Sequence, residues 1–342
     1  MSKLHLEAEV QDLRTKHPFI IARGGKSDYR TVVVKLKDGD GVEGWGEAAG
    51  ISYYGESPET ILAALQNYAT VLPETPFDLE TTERGFETLL MGNPSARAAL
   101  SSALHDMVGK RLGVPVWKLW GLDPAKAPMS TFTIGLDTIQ KMQAKVKEAE
   151  QYPILKIKLG TDRDIAILQG LREVTKKELR VDANCGWSVK QAVQMLPVLE
   201  EFGVTALEQP LDPRDIDGLG VIRRQASLPI IADESCLVAA DIPRLVGNVD
   251  GINIKLAKCG GLREALRMIA VARAHDMLVM AGCMIESSLG ITAAAHFAPL
   301  LDCADYDGAA LVANDPYTGA TIDGGVIRLP SAPGLGVAAL SS

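Results

Sequence analysis

Aromatic side chains are scarce, 5% of 342 residues. Trp45, Trp117, Trp120 and Trp187 are too scattered to build a stacking platform for bases, so core or domain-interface packing is expected for each. Positive charge is not in excess either. Lys and Arg number 35 against 43 Asp and Glu, a net charge of −8, and the cations are dispersed rather than clustered. That removes the electrostatic footprint of a nucleic-acid binder or of a protein docking on an anionic membrane. No apolar run approaches the roughly 20 residues needed to span a bilayer; even LVMAGCMI is short and is followed by Glu286. The opening MSKLHLEAEV alternates with charges and lacks the apolar core and cleavage site of a secretory signal. The five cysteines (Cys185, Cys236, Cys259, Cys283, Cys303) are odd in number, widely spaced and free of CxxC pairs. Neither a disulfide framework nor zinc is expected, and reduced thiols without a leader predict a cytoplasmic protein. The partner left by these exclusions is a small molecule, and a homo-oligomer is compatible with the same composition.

What is present is a chain 47% hydrophobic and 23% charged, enough to bury a full core as two or three units or as one barrel plus a cap. HLEAEVQDL and YRTVVVKLK, turning through DGDG into VEGWGEAA, predict an antiparallel meander. Three helical patterns follow: PETILAALQNYATVL, LETTERGFETLLM and SARAALSSALHDMVGKRLG, the last started by Asn-Pro-Ser and stopped by Gly113. From about residue 129 the pattern changes. Short apolar runs (STFTIGL, ILKIKLG, LRVDAN, TALEQP, PIIADES, GINIKLA, LVMAGCM, ADYDGA) alternate with amphipathic stretches such as VKQAVQMLPVLEEFG and LREALRMIAVARAHD. Eight strands joined by crossover helices predict a parallel barrel. The expected division is an α+β capping domain over 1–125, a (β/α)7β TIM-like barrel over 126–310, and a segment 311–342 that returns to the cap as a strand.

Polar residues recur at the strand ends with steps of 24, 26, 25 and 22 residues, from Lys158 to Asp182, Glu208, Asp233 and Lys255. Barrel active sites are assembled where such strand ends converge. Asp182, Glu208 and Asp233 would then face one point from three successive strands. Each alone is an ordinary helix cap or surface charge; together they repel unless a hard divalent cation sits among them, and an all-oxygen set favours Mg²⁺, with Mn²⁺ allowed. Lys156 and Lys158, at i and i+2, share one face of a strand. Lys255 is placed likewise on the opposite side of the mouth. An unpaired ammonium inside a barrel is expensive, so these lysines must be paired or functional. With a substrate carboxylate on the metal, the α-proton is acidified and one lysine can remove it while the other returns a proton to the opposite face. A base of that kind needs its pKa lowered from about 10.4, which the cation and the neighbouring ammonium groups would do. These residues predict a racemase or epimerase, or another reaction through the same intermediate.

The KIK strand, the DAN, EQP and ADES endings and INIKLAKCGG resemble the muconate-lactonizing subgroup of the enolase superfamily, and WGEAA with YYGES resembles that superfamily's capping domain. The resemblance implies Asp182, Glu208 and Asp233 as metal ligands, Lys158 and Lys255 as paired acid/base catalysts, and Lys156 as support for the enolate oxygen. A His on the sixth or seventh strand, the mandelate-racemase pattern, is missing. All five histidines (His5, His17, His105, His275, His296) fall in the cap or on helices and are expected to be structural.

The subgroup also holds cycloisomerases, o-succinylbenzoate synthases and N-succinylamino acid racemases, so its shared residues do not fix the substrate. In DYDG, Asp305 and Asp307 lie at i and i+2 and could together accept from a substrate ammonium. The pair resembles the DxD signature of dipeptide epimerases, although Asp-Gly is also common turn chemistry. HPFIIARGGKS, expected as a basic loop between the first two strands, resembles the corresponding loop of L-Ala-D/L-Glu epimerases. Arg23, or failing that Lys26, would pair with a glutamyl carboxylate. Glu286 is expected to act as a helix N-terminal acid, with substrate contact as the alternative. The function expected is Mg²⁺-assisted inversion at the C-terminal Cα of a dipeptide, with L-Ala-D/L-Glu, a cell-wall peptide fragment, preferred. Alternatives are a hydrophobic or cationic dipeptide preference, an N-succinylamino acid racemase, a muconate cycloisomerase, or a metal-binding protein without turnover.

Overall fold

The computed structural model describes residues 3–340. Three antiparallel strands open the chain in the order β1 (His5–Ile21), β2 (Gly24–Lys37), β3 (Glu43–Ala48). Because side chains alternate along a strand, the VVV run of β2 serves two cores. Val32, Val34 and Leu36 pack with the cap helices, while Val33 packs with the barrel. The stretch HPFIIARGGKS is not a loop. After a register shift between Arg14 and Phe19 the ladder resumes with Phe19 opposite Lys26, Ile20 opposite Gly25 and Ile21 opposite Gly24. Ala22 and Arg23 form the tip of a long hairpin, because the apolar Phe-Ile-Ile run can keep pairing with a glycine-rich partner that has little side chain to obstruct it.

The cap helices are α1 (Pro58–Tyr68), α2 (Leu79–Leu89) and α3 (Pro94–Leu112). Ser57 caps α1 in a reciprocal box with Thr60, and α3 starts on Pro94 and ends at Gly113, which adopts φ +71°. Alanine and serine dominate α3, which is buried on nearly every side between the cap sheet and the barrel.

The barrel strands are β4 (Phe132–Ile134), β5 (Ile154–Lys158), β6 (Glu178–Asp182), β7 (Val204–Glu208), β8 (Ile230–Ala232), β9 (Gly251–Ile254), β10 (Leu278–Gly282) and β11 (Cys303–Asp305), parallel and in sequence order. Closure comes from a parallel bridge between Ser130 and Ala304, with the Thr131 N–H donating to the Ala304 carbonyl at 3.1 Å. Six of the seven crossovers carry a helix of eight residues or more: Ile139–Glu148, Asp164–Arg172, Val189–Glu201, Ile216–Arg223, Leu262–Ala274 and Ser288–Ala295. The one between β8 and β9 has only the short helix Ile242–Leu245. This is the expected (β/α)7β architecture with its cap.

The tail returns to the cap and meets its sheet at one isolated antiparallel bridge, Val312 to Thr15, without adding a strand. Tyr317–Thr318 pairs with Ala338–Ala339, and Thr321–Asp323 with Val326–Arg328. Contact with the cap is made by loop backbone: the Val116 N–H donates to the Gly334 carbonyl at 3.0 Å and the Leu335 N–H to Asp106 at 2.7 Å. Glycines and prolines every few residues break this segment before a longer ladder can form. Residues 341 and 342 of the expected C-terminal segment lie outside the described residues. Among the described residues no helix is long and apolar enough to cross a membrane, and the five cysteines are free thiols.

Candidate active site

Strand register alone brings the chemistry together. Lys158 on β5 is paired in register with Asp182 on β6, and Asp182 with Glu208 on β7, so the three side chains stand in one row on the interior face. Asp233 follows β8 directly and Lys255 follows β9. One oxygen from each of Asp182, Glu208 and Asp233 lies within 4.8 Å of the others, and all three side chains are buried. The Lys158 ammonium is 2.7 Å from Asp182 on one flank, and the Lys255 ammonium is 2.7 Å from Asp233 on the other. Lys156, one layer deeper, lies 2.7 Å from both Glu208 and Asp305.

Burial pushes Asp182 and Asp233 up, but the ammonium groups outweigh it: Lys158 and Lys156 hold Asp182 below the ordinary carboxylate range, and Lys255 with Lys258 holds Asp233 well below it. Glu208 is pushed up to about 7 by burial and by Asp182. Lys156 and Lys255 are raised above the ordinary lysine value, because the facing carboxylates overcome burial. This is opposite to the lowering expected for a base, and its cause is the negative charge of the carboxylates themselves. The donor set is hard, all-oxygen and buried, so it fits Mg²⁺. Asn253 donates to Glu208 at 2.8 Å and fixes its orientation, while the buried side-chain Oδ1 atoms of Asn253 and Asn184 have no hydrogen-bond partner among the described residues.

Several residues that hold this arrangement carried no separate signal in the sequence. Gln209, in the left-handed region at φ +33°, accepts from the Asp233 and Ser235 N–H groups and donates to Ser235, locking the loop that presents Asp233. Lys258 is buried and donates to Asp233 and to the carbonyls of Asp233, Cys236 and Asn253. Asp164 ties down the turn after Lys158 through the Gly160 and Thr161 N–H groups and takes the Trp187 indole N–H at 2.8 Å. Glycine is required at 160, where φ is +95° and a Cβ would sit 2.3 Å from the Ala183 carbonyl. EQP and KCGG contain two of these residues, but side-chain hydrogen bonds cannot be read from such short words.

A cavity of about 510 Å³ opens above the lysines and brings in Asp305, Asp307, Arg23 and Lys26. Asp305 is not free: besides Lys156 it accepts from Thr131 at 2.6 Å and is held below its ordinary pKa because Lys156 outweighs its burial. Asp307 has no ion pair among the described residues; it accepts from the Thr133 N–H at 2.5 Å and is pushed up to about 7 by burial and by Asp305. Arg23 is ion-paired with Glu234 at 2.7 Å, and Lys26 sits over the Tyr29 ring. Glu286 is buried and raised to about 8 by burial and the nearby Glu47. The acid at the start of the Ser288–Ala295 helix is instead Glu47 of the cap, which accepts from the Ser287 and Gly290 N–H groups. His105 and His296 are buried and pushed down to about 4, in keeping with structural roles.

Residues 6–121 match the model of the mandelate racemase / muconate lactonizing enzyme N-terminal domain, and residues 140–340 that of the enolase C-terminal domain-like family. The chain is 41% identical to the L-Ala-D/L-Glu epimerase of Bacteroides thetaiotaomicron over 95% of its own length and 85% of that protein. It is 40% identical to the L-Ala-D/L-amino acid epimerase of a Maribacter species, covering 98% and 99% of the two chains. The crystal structure of the dipeptide epimerase of Enterococcus faecalis V583, complexed with Mg and L-Leu-L-Tyr, superposes with a TM-score of 0.93 at 32% identity, covering 98% of this chain and 99% of that one.

Proposed function

The chain belongs to the mandelate racemase / muconate lactonizing enzyme family of the enolase superfamily, and from that membership we propose that it is a Mg²⁺-dependent dipeptide epimerase. One observation supports this reading most: two ammonium groups flank a buried three-carboxylate cluster from opposite sides of the barrel, each 2.7 Å from a different carboxylate. Asp182, Glu208 and Asp233 would hold the ion, which when bound supplies positive charge to a substrate carboxylate as its α-proton leaves. Lys158 and Lys255 stand on opposite faces of that α-carbon; one removes the proton and the other delivers one, inverting the centre. Lys156 keeps a fixed positive charge beneath the reacting carboxylate. Asp307, with Asp305 beside it, accepts from the N-terminal ammonium, which a polyanion such as muconate does not offer.

L-Ala-D/L-Glu is the preferred substrate in this reading, consistent with the cations of the cap hairpin. A second reading, a broad or hydrophobic preference, draws on Phe19, Ile21, Ile285 and Leu311, which line the same cavity. The test is proton NMR of L,L-dipeptides in D₂O with Mg²⁺. Loss of the C-terminal Cα–H signal with inversion is expected, fastest for L-Ala-L-Glu. Lys158→Ala and Lys255→Ala should each reduce inversion by a factor on the order of 10²–10⁴ while calorimetric Mg²⁺ binding persists. Inversion at the wild-type rate in either variant rules out the two-lysine mechanism.

A further inference from the structure

Both carboxylate oxygens of Asp233 are engaged: Oδ1 takes the Lys258 ammonium, and Oδ2 takes the Lys255 ammonium at 2.7 Å. For Asp233 to bind an ion, one of the two must give way. Lys258 cannot, because its side chain is 0% exposed and its ammonium also donates to the carbonyls of Asp233, Cys236 and Asn253. Lys255 can. It stands at the cavity, and Asp233 is its one ion-pair partner among the described residues. An ammonium released in so buried a place needs another acceptor, since leaving it unpaired is expensive.

Asn253 offers one. Its Nδ2 donates to Oε1 of Glu208 at 2.8 Å, while its Oδ1 is buried and has no partner among the described residues. A fold ordinarily avoids shutting an acceptor away from both water and donors. Asn253 and Lys255 are two residues apart in extended chain, so both take the interior face. They meet over Gly282 of the adjoining strand: a Cβ there would stand 3.1 Å from Cε of Lys255 and 3.2 Å from Oδ1 of Asn253. With only hydrogen in that place, the tip of the lysine has room to turn from Asp233 toward the amide. Oε2 of Glu234 is also a buried acceptor without a partner, but Glu234 is already the counter-ion of Arg23 at 2.7 Å.

We propose that Asn253 is a positioning residue serving two functional groups at once: Nδ2 fixes Glu208, and Oδ1 receives the Lys255 ammonium when a divalent cation takes Oδ2 of Asp233, which aims that ammonium at the substrate's α-carbon. Only this last step rests on the dipeptide-epimerase reading above. The exchange of partners needs the ion alone.

Two measurements on the full chain test it. The first is calorimetric Mg²⁺ binding without substrate to the wild type, Asn253→Leu, Lys255→Met and the double variant. Asn253→Leu should weaken binding about tenfold. In the Lys255→Met background the loss should shrink to about threefold, because no ammonium then needs a new acceptor and only the donor to Glu208 is missing. An equal loss in both backgrounds overturns the proposal, as does a Glu234→Gln change that couples to Lys255→Met more strongly than Asn253→Leu does. Asn253→Ser, read by the same criteria, takes the place of Asn253→Leu if circular dichroism shows the latter unfolded.

The second measurement is Cα–H exchange of L-Ala-L-Glu and L-Ala-D-Glu in D₂O at saturating Mg²⁺. Lys255→Ala identifies the epimer whose exchange depends on Lys255. Asn253→Leu should shift the ratio of the two exchange rates about tenfold against that same epimer. Equal slowing of both epimers overturns the role of Asn253 in aiming Lys255. If the wild type exchanges neither epimer, the epimerase reading has failed, and the calorimetric cycle by itself decides whether Asn253 receives Lys255.

Discussion

The charged residues at the barrel strand ends and the cations on the cap hairpin face one cavity, yet they are held by different means. Lys158, Asp182 and Glu208 are neighbours in a hydrogen-bonded ladder, so their spacing is fixed by backbone register and their side chains are buried. Arg23 and Lys26 stand at the end of an extended hairpin, and of these two only Arg23 is anchored to the barrel, through Glu234 and the Asn184 carbonyl. On the proposed mechanism the chemistry falls on rigid strand ends, where a small displacement of a base is costly. The hairpin end is an edge that can vary without disturbing the core. The same contrast holds within DYDG: Asp305 is ion-paired with Lys156, whereas Asp307 has no ion pair among the described residues and accepts from the Thr133 N–H.

The comparison breaks most sharply at Lys258. Its ammonium satisfies Asp233 and three backbone carbonyls in a site without water access, so Lys258→Met should cost roughly 3–5 kcal/mol of stability in chemical denaturation. It should also weaken Mg²⁺ binding, which calorimetry measures, by loosening Asp233. A loss below about 1 kcal/mol would show that the mouth is less rigidly built than its hydrogen bonds indicate.

Next comes Asp307. With its carboxyl pushed up to about 7 by burial and by Asp305, it is protonated below that pH and cannot then accept an ammonium as an anion. Wild-type kcat/KM for a free-amine dipeptide should therefore climb with pH, about tenfold per unit, until about pH 7 and then level. Asp307→Asn should lose that rise and show a larger KM. A rise that persists in the variant would move the titrating group back to the strand-end cluster.

The smallest effect tests the seam between the regions. Ser287 caps the Ser288–Ala295 helix and donates to Glu47 of the cap. Ser287→Ala should lower stability by about 1 kcal/mol, seen as a shift in Tm, with little change in the ratio of L-Ala-L-Glu to L-Ala-L-Gln turnover. A changed ratio would mean that recognition depends on this seam as well as on the hairpin.

Much of this architecture is legible in the sequence. The alternation of short apolar runs with amphipathic stretches predicted eight strands and seven crossovers, and the near-constant step between polar strand ends marked the residues that now stand in one row. Side-chain period explains the success: in a parallel barrel the register of a strand decides which face each residue takes. HPFIIARGGKS was expected as a loop because glycines suggest turns, whereas pairing across the hairpin overrode local preference. The tail looked capable of a cap strand, but its glycines and prolines left only two-residue and three-residue pairings.

Residue order by itself determined the architecture, the placement of three carboxylates and three lysines at strand ends, and the chemistry such a set can perform. Only the tertiary structure decided which charges are already paired: Asp305 with Lys156, Arg23 with Glu234, Asp233 with Lys258. Periodicity fixes the direction in which a side chain points. Its partner is set by distances across elements far apart in sequence, and in a buried site those distances decide whether a charge is spent on the fold or left for a ligand.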